Sequence, residues 1–267
     1  MSHLLKEIRH NKLLWLLAFV PVLFVAARAR PDAHTMLFVL SVLAIVPLAA
    51  LLSHATESVA AKTGDAVGGL LNATLGNLTE LVIALTALQA GQYALVKASI
   101  AGAIVTNTLF MLGASFLLGG LKYRTQDYNR AGARFQAALL FLATVALFVP
   151  SAVADVDSPT GAAFSQDLSL GLAVLLIAAY GLGLIFSLKT HRDFFGSTPN
   201  DDKESHEEAL PVGVALATLA GVTVVVALVS EIFVESVQEA AVTFGMTPAF
   251  VGFIVVALVG GAASGVG

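Results

Sequence analysis

The chain contains no cysteine, which excludes a disulfide framework and a thiolate metal site. Charge is also scarce. Asp, Glu, Lys and Arg make up 12% of the 267 residues, whereas 57% are apolar, and the mean hydropathy is +0.87. One soluble core of this size cannot bury that much apolar surface, so a lipid bilayer must take the excess. The few charges cluster between long apolar runs instead of spreading along helix faces, which is how loops and spans divide in lipid. A net charge of −4 distributed in this way gives no footprint for nucleic acid. The expected class is therefore all-α, a polytopic transmembrane protein whose first partner is lipid.

Eight apolar runs are long enough, or nearly so, to cross a hydrocarbon core of about 30 Å. They are Leu13–Ala27, Met36–Leu52, Val67–Ala90, Ala98–Leu118, Phe135–Pro150, Leu168–Leu188, Val212–Val229 and Ala249–Val266. The first follows Lys6, Arg9 and Lys12 and ends at Ala27-Arg28-Ala29, a pattern shared with signal peptides. Because everything after it is membrane-like, a retained first helix is the simpler reading. Lys189–Glu208 carries the acidic stretch Asn200–Glu208 and is the one candidate linker, dividing six helices from two. With a cytoplasmic N-terminus, eleven Lys and Arg residues fall on the cytoplasmic side and only Arg28, Arg30 and Lys97 on the other. The positive-inside bias then places the acidic linker in the cytoplasm, and the loop with Asp155, Asp157 and Asp167 outside.

The third run carries the chemistry. Within Gly68-Gly69-Leu70-Leu71-Asn72-Ala73-Thr74-Leu75-Gly76-Asn77-Leu78-Thr79-Glu80, a carboxylate lies deep in an apolar segment. An ionised group there costs at least about 2.5 kcal/mol, so it marks function by default. Asn72, Gly76 and Glu80 stand at i, i+4 and i+8 and Asn77 three before Glu80, so amide and carboxylate oxygens share one helical stripe. The glycines permit a break or a close helix approach beside it. Such oxygens suit a hard cation, although the same pattern also fits a helix-packing seam. In the fourth run Thr106 and Asn107 lie near mid-membrane and can add neutral oxygens, which Ca²⁺ needs in numbers of six to eight. Ser99 reads better as an ordinary interhelical hydrogen-bonding residue.

Gly76-Asn77-Leu78-Thr79-Glu80 resembles the Gly-Asn-x-x-Glu motif of the calcium/proton exchangers, within the cation/Ca²⁺ exchanger superfamily. Ala55-Thr56-Glu57, Gly102–Asn107 and Leu118–Tyr123 are similar to that family's first repeat as well. The resemblance implies an extra N-terminal helix (1–33), a first five-helix repeat (34–188), an acidic linker (189–210) and the start of an inverted second repeat (211–267). It implies alternating access in which Ca²⁺ and protons compete for membrane-embedded glutamates, with no cofactor and no enzymatic step. Ser53–Val59 and Ser230–Val237 echo one another, each standing before a glycine-led apolar run. By the same resemblance Glu57, Glu231 and Glu235 flank the ion path; the alternative is three carboxylates on solvated surface loops.

Where the second repeat of that family carries Gly-x-Ala-Ala-Glu, this sequence reads Gly260-Gly261-Ala262-Ala263-Ser264. The expectation is an incomplete second repeat, about three helices short, with an oligomer or a separate second half as a further partner. Two other readings stand beside the antiporter: a non-transporting membrane subunit or remnant inactive alone, and an exchanger coupled to Na⁺ or K⁺. An intramembrane enzyme is disfavoured, since the spans hold no His-Glu-x-x-His, no paired aspartates and no Ser/His arrangement. His54 and His206 are read as lying near helix ends, in water. The linker acids Asp201, Asp202, Glu204, Glu207 and Glu208 lack the alternating ligands, central Gly and terminal Glu of a calcium loop. Neutralising all five should leave the calcium dependence of transport unchanged in vesicle flux; a shifted dependence would make the stretch a cation sensor.

Overall fold

The computed structural model describes residues 12–63, 65–126, 128–154, 159–190 and 210–258, and every regular element among them is helical. A 3₁₀ segment, Lys12–Ala18, leads into α1 (Phe19–Ala29), and α2 is His34–Ala60. The third apolar run forms two helices, α3 (Asp65–Leu75) and α4 (Leu78–Gln89). Helix α5 (Tyr93–Val105) passes through a π-helical segment, Thr106–Met111, into α6 (Leu112–Tyr123). Next come α7 (Arg130–Ala154) and α8 (Pro159–Ile185), the latter extended by the π-helical turn Phe186–Thr190. Helix α9 is Val212–Thr243, and the short α10 (Pro248–Val251) continues into a π-helical turn, Gly252–Val256. By length and composition five described stretches can cross a bilayer: His34–Ala60, Tyr93–Tyr123, Arg130–Val153, Ala163–Thr190 and Val212–Thr243. Leu13–Ala29 and Leu78–Gln89 are shorter apolar helices.

Helix ends depart from the expected ones in a consistent direction. Helix α2 runs eight residues past Leu52, and α9 runs from Val229 on to Thr243. Ser53–Val59 and Ser230–Val237 are therefore turns of the preceding helices, not segments leading into the next ones. Hydropathy marks where lipid ends, whereas the backbone ladder can run on through polar residues, and neither Gly nor Pro occurs between Leu48 and Thr63 or between Val222 and Phe244 to discourage it. For the same reason Asp167 lies within α8 and not in a loop, and His54 lies within α2, half-buried, with Nδ1 shielded from solvent. Asp155, Asp157, most of the acidic linker, His206 and Gly260–Gly267 fall outside the described residues.

Two turns are built alike. After α4, the Gly91 amide donates to the Leu88 carbonyl at 3.0 Å and the Gln92 amide to Ala87 at 2.9 Å. After α9, Gly245 donates to Val242 at 3.0 Å and Met246 to Ala241 at 2.8 Å. Both glycines take positive φ, +70° and +68°, as this helix-ending motif requires.

Packing divides the chain into two compact units, Met1–Gly113 with Asn200–Gly267, and Ala114–Pro199. In the first, the most extensive interface joins α2 to α9. Phe38 of α2 stacks on Phe233 of α9 with centroids 5.5 Å apart, amid buried Ile45, Leu52, Val226 and Val237. Helix α4 lays Ile83 and Ala87 into this core. The face of α5 formed by Leu95, Ser99, Gly102 and Thr106 is buried, and α5 packs on Gly252–Val256. That crossing is backbone against backbone: a Cβ on Gly102 would overlap the Phe253 carbonyl, and one on Gly252 would lie 2.8 Å from the Leu95 carbonyl. In the second unit α7 and α8 pair, with Phe135 on Phe186 at 5.4 Å and the Ser165 hydroxyl donating to the Pro150 carbonyl at 3.1 Å. Large apolar side chains such as Phe141 and Ile177 point outward there, as a lipid-facing surface requires.

The crossing yields a test. Gly102→Val should destabilise the fold by about 1–3 kcal/mol through overpacking, read as a lower thermal midpoint in detergent. Gly221→Ala in α9, where a Cβ meets nothing within 4 Å, should be neutral or stabilising in the same measurement.

Candidate cation site

The third span is broken at Gly76 and Asn77. The Gly76 amide closes α3 by donating to the Asn72 carbonyl at 2.9 Å, and a Cβ at Gly76 would stand 2.5 Å from that oxygen. Asn77 then opens α4 as its N-cap residue, with φ −109° and ψ 26°, and its carbonyl accepts from Leu81 at 3.1 Å. The continuous stripe of Asn72, Gly76 and Glu80 is thus not realised, because the helix that would carry it ends at Leu75 and restarts at Leu78. Asn72 sits in the last turn of α3, and Glu80 sits in the first turn of α4, the third helical residue after its cap.

Helix ends inside an apolar span carry unpaired backbone dipoles, negative at the end of α3 and positive at the start of α4. A carboxylate in the first turn of a helix gains about 0.3–1 kcal/mol from that end. This is less than the at least about 2.5 kcal/mol that an intramembrane charge costs, so a cation or a proton has to supply the balance. On α4 the buried face is Thr79, Ile83 and Ala87, the outward apolar face is Leu81, Leu85 and Leu88, and Glu80 lies half-buried between them. Asn72 and Asn77 are exposed.

Thr106 is buried, at the start of the π-helical segment that ends α5; Asn107, next to it, is exposed. One added residue per turn is a common device at functional sites. Ser99 donates to the Val96 carbonyl of its own helix at 2.9 Å and does not bridge to another. Glu57 is exposed on α2 and accepts from the Ser53 hydroxyl at 3.2 Å. Glu231 and Glu235 are exposed on α9, and Glu239, unrecognised from sequence, continues their face at the same spacing of four. Glu239 also meets His34 of α2, Oε2 to Nε2 at 3.2 Å. The i, i+4, i+8 series would have revealed it, had α9 been read through to Thr243. Among the described residues no three acidic or His side chains gather closely enough to hold a metal by themselves.

The family description "sodium/calcium exchanger protein" matches residues 33–189. The chain is 38% identical over 260 residues to a Ca²⁺/H⁺ antiporter of Aphanothece halophytica, covering 93% of this chain and 69% of that protein. It is 40% identical over 230 residues to the Ca²⁺/H⁺ antiporter ChaA of Bacillus subtilis, covering 85% and 64%. Among solved structures, native YfkE superposes with a TM-score of 0.76 at 30% identity, covering 95% of this chain and 71% of the other. The broken span, the lone glutamate at the break and these likenesses agree: the chain belongs to the sodium/calcium exchanger protein family.

Proposed function

We propose that the chain acts in Ca²⁺/H⁺ exchange across a membrane, with Glu80 as the group for which the two ions compete. The observation that carries this reading is the broken span with a carboxylate in the first turn after the break. Discontinuous helices of this kind place ion sites near the midplane of transporters. Ionised, Glu80 attracts a divalent cation, and Asn77, Asn72, Thr106 and Asn107 supply neutral oxygens. Protonated, it has no charge to offer and the cation leaves. Proton entry and calcium exit are thus coupled at one carboxyl group, without any covalent step or resident cofactor. Relatives named as Ca²⁺/H⁺ antiporters support the proton as counter-ion over Na⁺ or K⁺.

Glu57, Glu231 and Glu235 serve in this reading as acidic positions along the ion path, exposed on the two helices that pack most extensively in the first unit. The chain is an integral membrane protein, oriented with its N-terminus and acidic linker in the cytoplasm. Its parts are an extra N-terminal helix (1–33), a first repeat (34–188), the linker (189–210) and helices of a second, inverted repeat (211–267).

Inside-out vesicles carrying the chain together with a complete second repeat should accumulate ⁴⁵Ca²⁺ when acidified, and no uptake under a pH gradient would overturn the reading. Glu80→Gln should cut the initial rate at least about 30-fold with insertion unchanged, as expected when a desolvated charge partner is removed. Thr106→Val should raise the KM for Ca²⁺ by about 2–10-fold, the value of one hydrogen-bonding-strength contact. An unchanged KM would remove Thr106 from the ligand set.

A further inference from the structure

Gln92 occupies the N-cap position of α5, immediately after the turn at Gly91. Its backbone carbonyl accepts from Val96 at 3.1 Å, but its side chain makes no capping bond to α5. The side chain instead crosses to α9, where Nε2 donates to the Val234 carbonyl at 2.9 Å. The corresponding residue after α9, Thr247, stays local and accepts from the Phe250 amide at 3.1 Å. Gln92 Oε1 is buried and has no hydrogen-bond partner among the described residues. Flipping the amide would not help, because it would set Oε1 against the Val234 carbonyl, acceptor on acceptor.

Apolar side chains of α4 such as Ile83 and Ala87 enter the core that α9 shares, and the buried polar side chains Thr79 of α4 and Ser230 of α9 make no bond to one another. Apolar packing sets how closely two helices approach but is not directional, whereas a hydrogen bond fixes the axial register. Val234 stands between Glu231 and Glu235 on α9, and Gln92 follows the end of the twelve-residue α4 whose first turn holds Glu80. Helix α4 is about 18 Å long, so a bond at its far end sets where Glu80 lies along α9. The bond also holds lightly. A neutral hydrogen bond is worth about as much as the buried, unsatisfied oxygen beside it costs, so release to water leaves both amide atoms satisfied at little penalty.

We propose that Gln92 is a positioning residue: a releasable latch that sets the register of the Glu80-bearing helix α4 against α9 and lets go when the exchanger changes state. This rests on the exchange reading for its role, but the latch itself can be tested without transport. The other polar tie to α9 nearby, His34 to Glu239, joins α2 and leaves α4 free.

The absence of native cysteine allows spin labels at two introduced positions, Tyr93→Cys and Val242→Cys, both well exposed, in the full chain in lipid nanodiscs. With Gln92 present, the label distance distribution should be narrow at every pH, and this control keeps Glu231, Glu235, Glu239 and His34 unchanged. Gln92→Leu should broaden it. Gln92→Glu should be narrow in acidic buffer, where a protonated carboxyl can donate to Val234, and broad in alkaline buffer, where it cannot. If Gln92→Leu does not fold, the acidic and alkaline arms of Gln92→Glu carry the test. A distribution unchanged in Gln92→Leu, or a Gln92→Glu distribution with no pH dependence beyond the control, overturns the latch. In flux, Gln92→Leu should change kcat while the KM for Ca²⁺ stays within about twofold; a larger KM change with kcat unchanged would make Gln92 part of the ion site instead.

Discussion

Lipid offers no hydrogen bonds, so a helix that crosses it can be interrupted only where something else satisfies the freed backbone groups. That constraint governs the third span. Its first half ends with the Gly76 amide bonded back to the Asn72 carbonyl, and its second opens at Asn77, whose side chain makes no capping bond. The arrangement leaves opposed dipole ends and a carboxylate at the same depth, and an ion is the natural complement to them. The long helices α2 and α9, the glycine crossing and the two glycine turns build the compact unit in which that break lies.

Although the third run forms two helices and five described stretches are long enough to cross a bilayer, the order of the apolar helices could be read from the sequence, because lipid demands runs of about twenty apolar residues. Their ends could not. Ser53, Glu57, Glu231 and Glu235 end the hydropathy signal but not the backbone ladder, so α2 and α9 outrun their apolar runs. The break was half visible: Gly68, Gly69 and Gly76 announced the freedom to interrupt, and Asn77 three before Glu80 has the spacing of a cap and its third residue. Taking the run as one continuous stripe missed that its helix ends at Leu75 and restarts at Leu78. Gln92 gave no signal at all, since its partner lies 142 residues away and is a backbone carbonyl that any residue at Val234 would present.

The two turns after α4 and α9 show how similar local chemistry can serve different ends. Both spend a glycine on a left-handed residue and both start a new helix at once. One of the following caps closes on itself, and the other reaches across the protein. Similar backbone turns thus leave the polar side chains that follow them free to take different partners.

At the crossing of α5 with Gly252–Val256, main chain lies on main chain, with Gly102 and Gly252 supplying no knobs and no holes. Interdigitated side chains make a contact bistable, because leaving one fit for the next means repacking rotamers. Here each glycine leaves the place of its missing side chain to the neighbouring main chain and, at Gly252, to Leu95 and Ala98 as well, so the two helices approach more closely than any residue with a Cβ would allow.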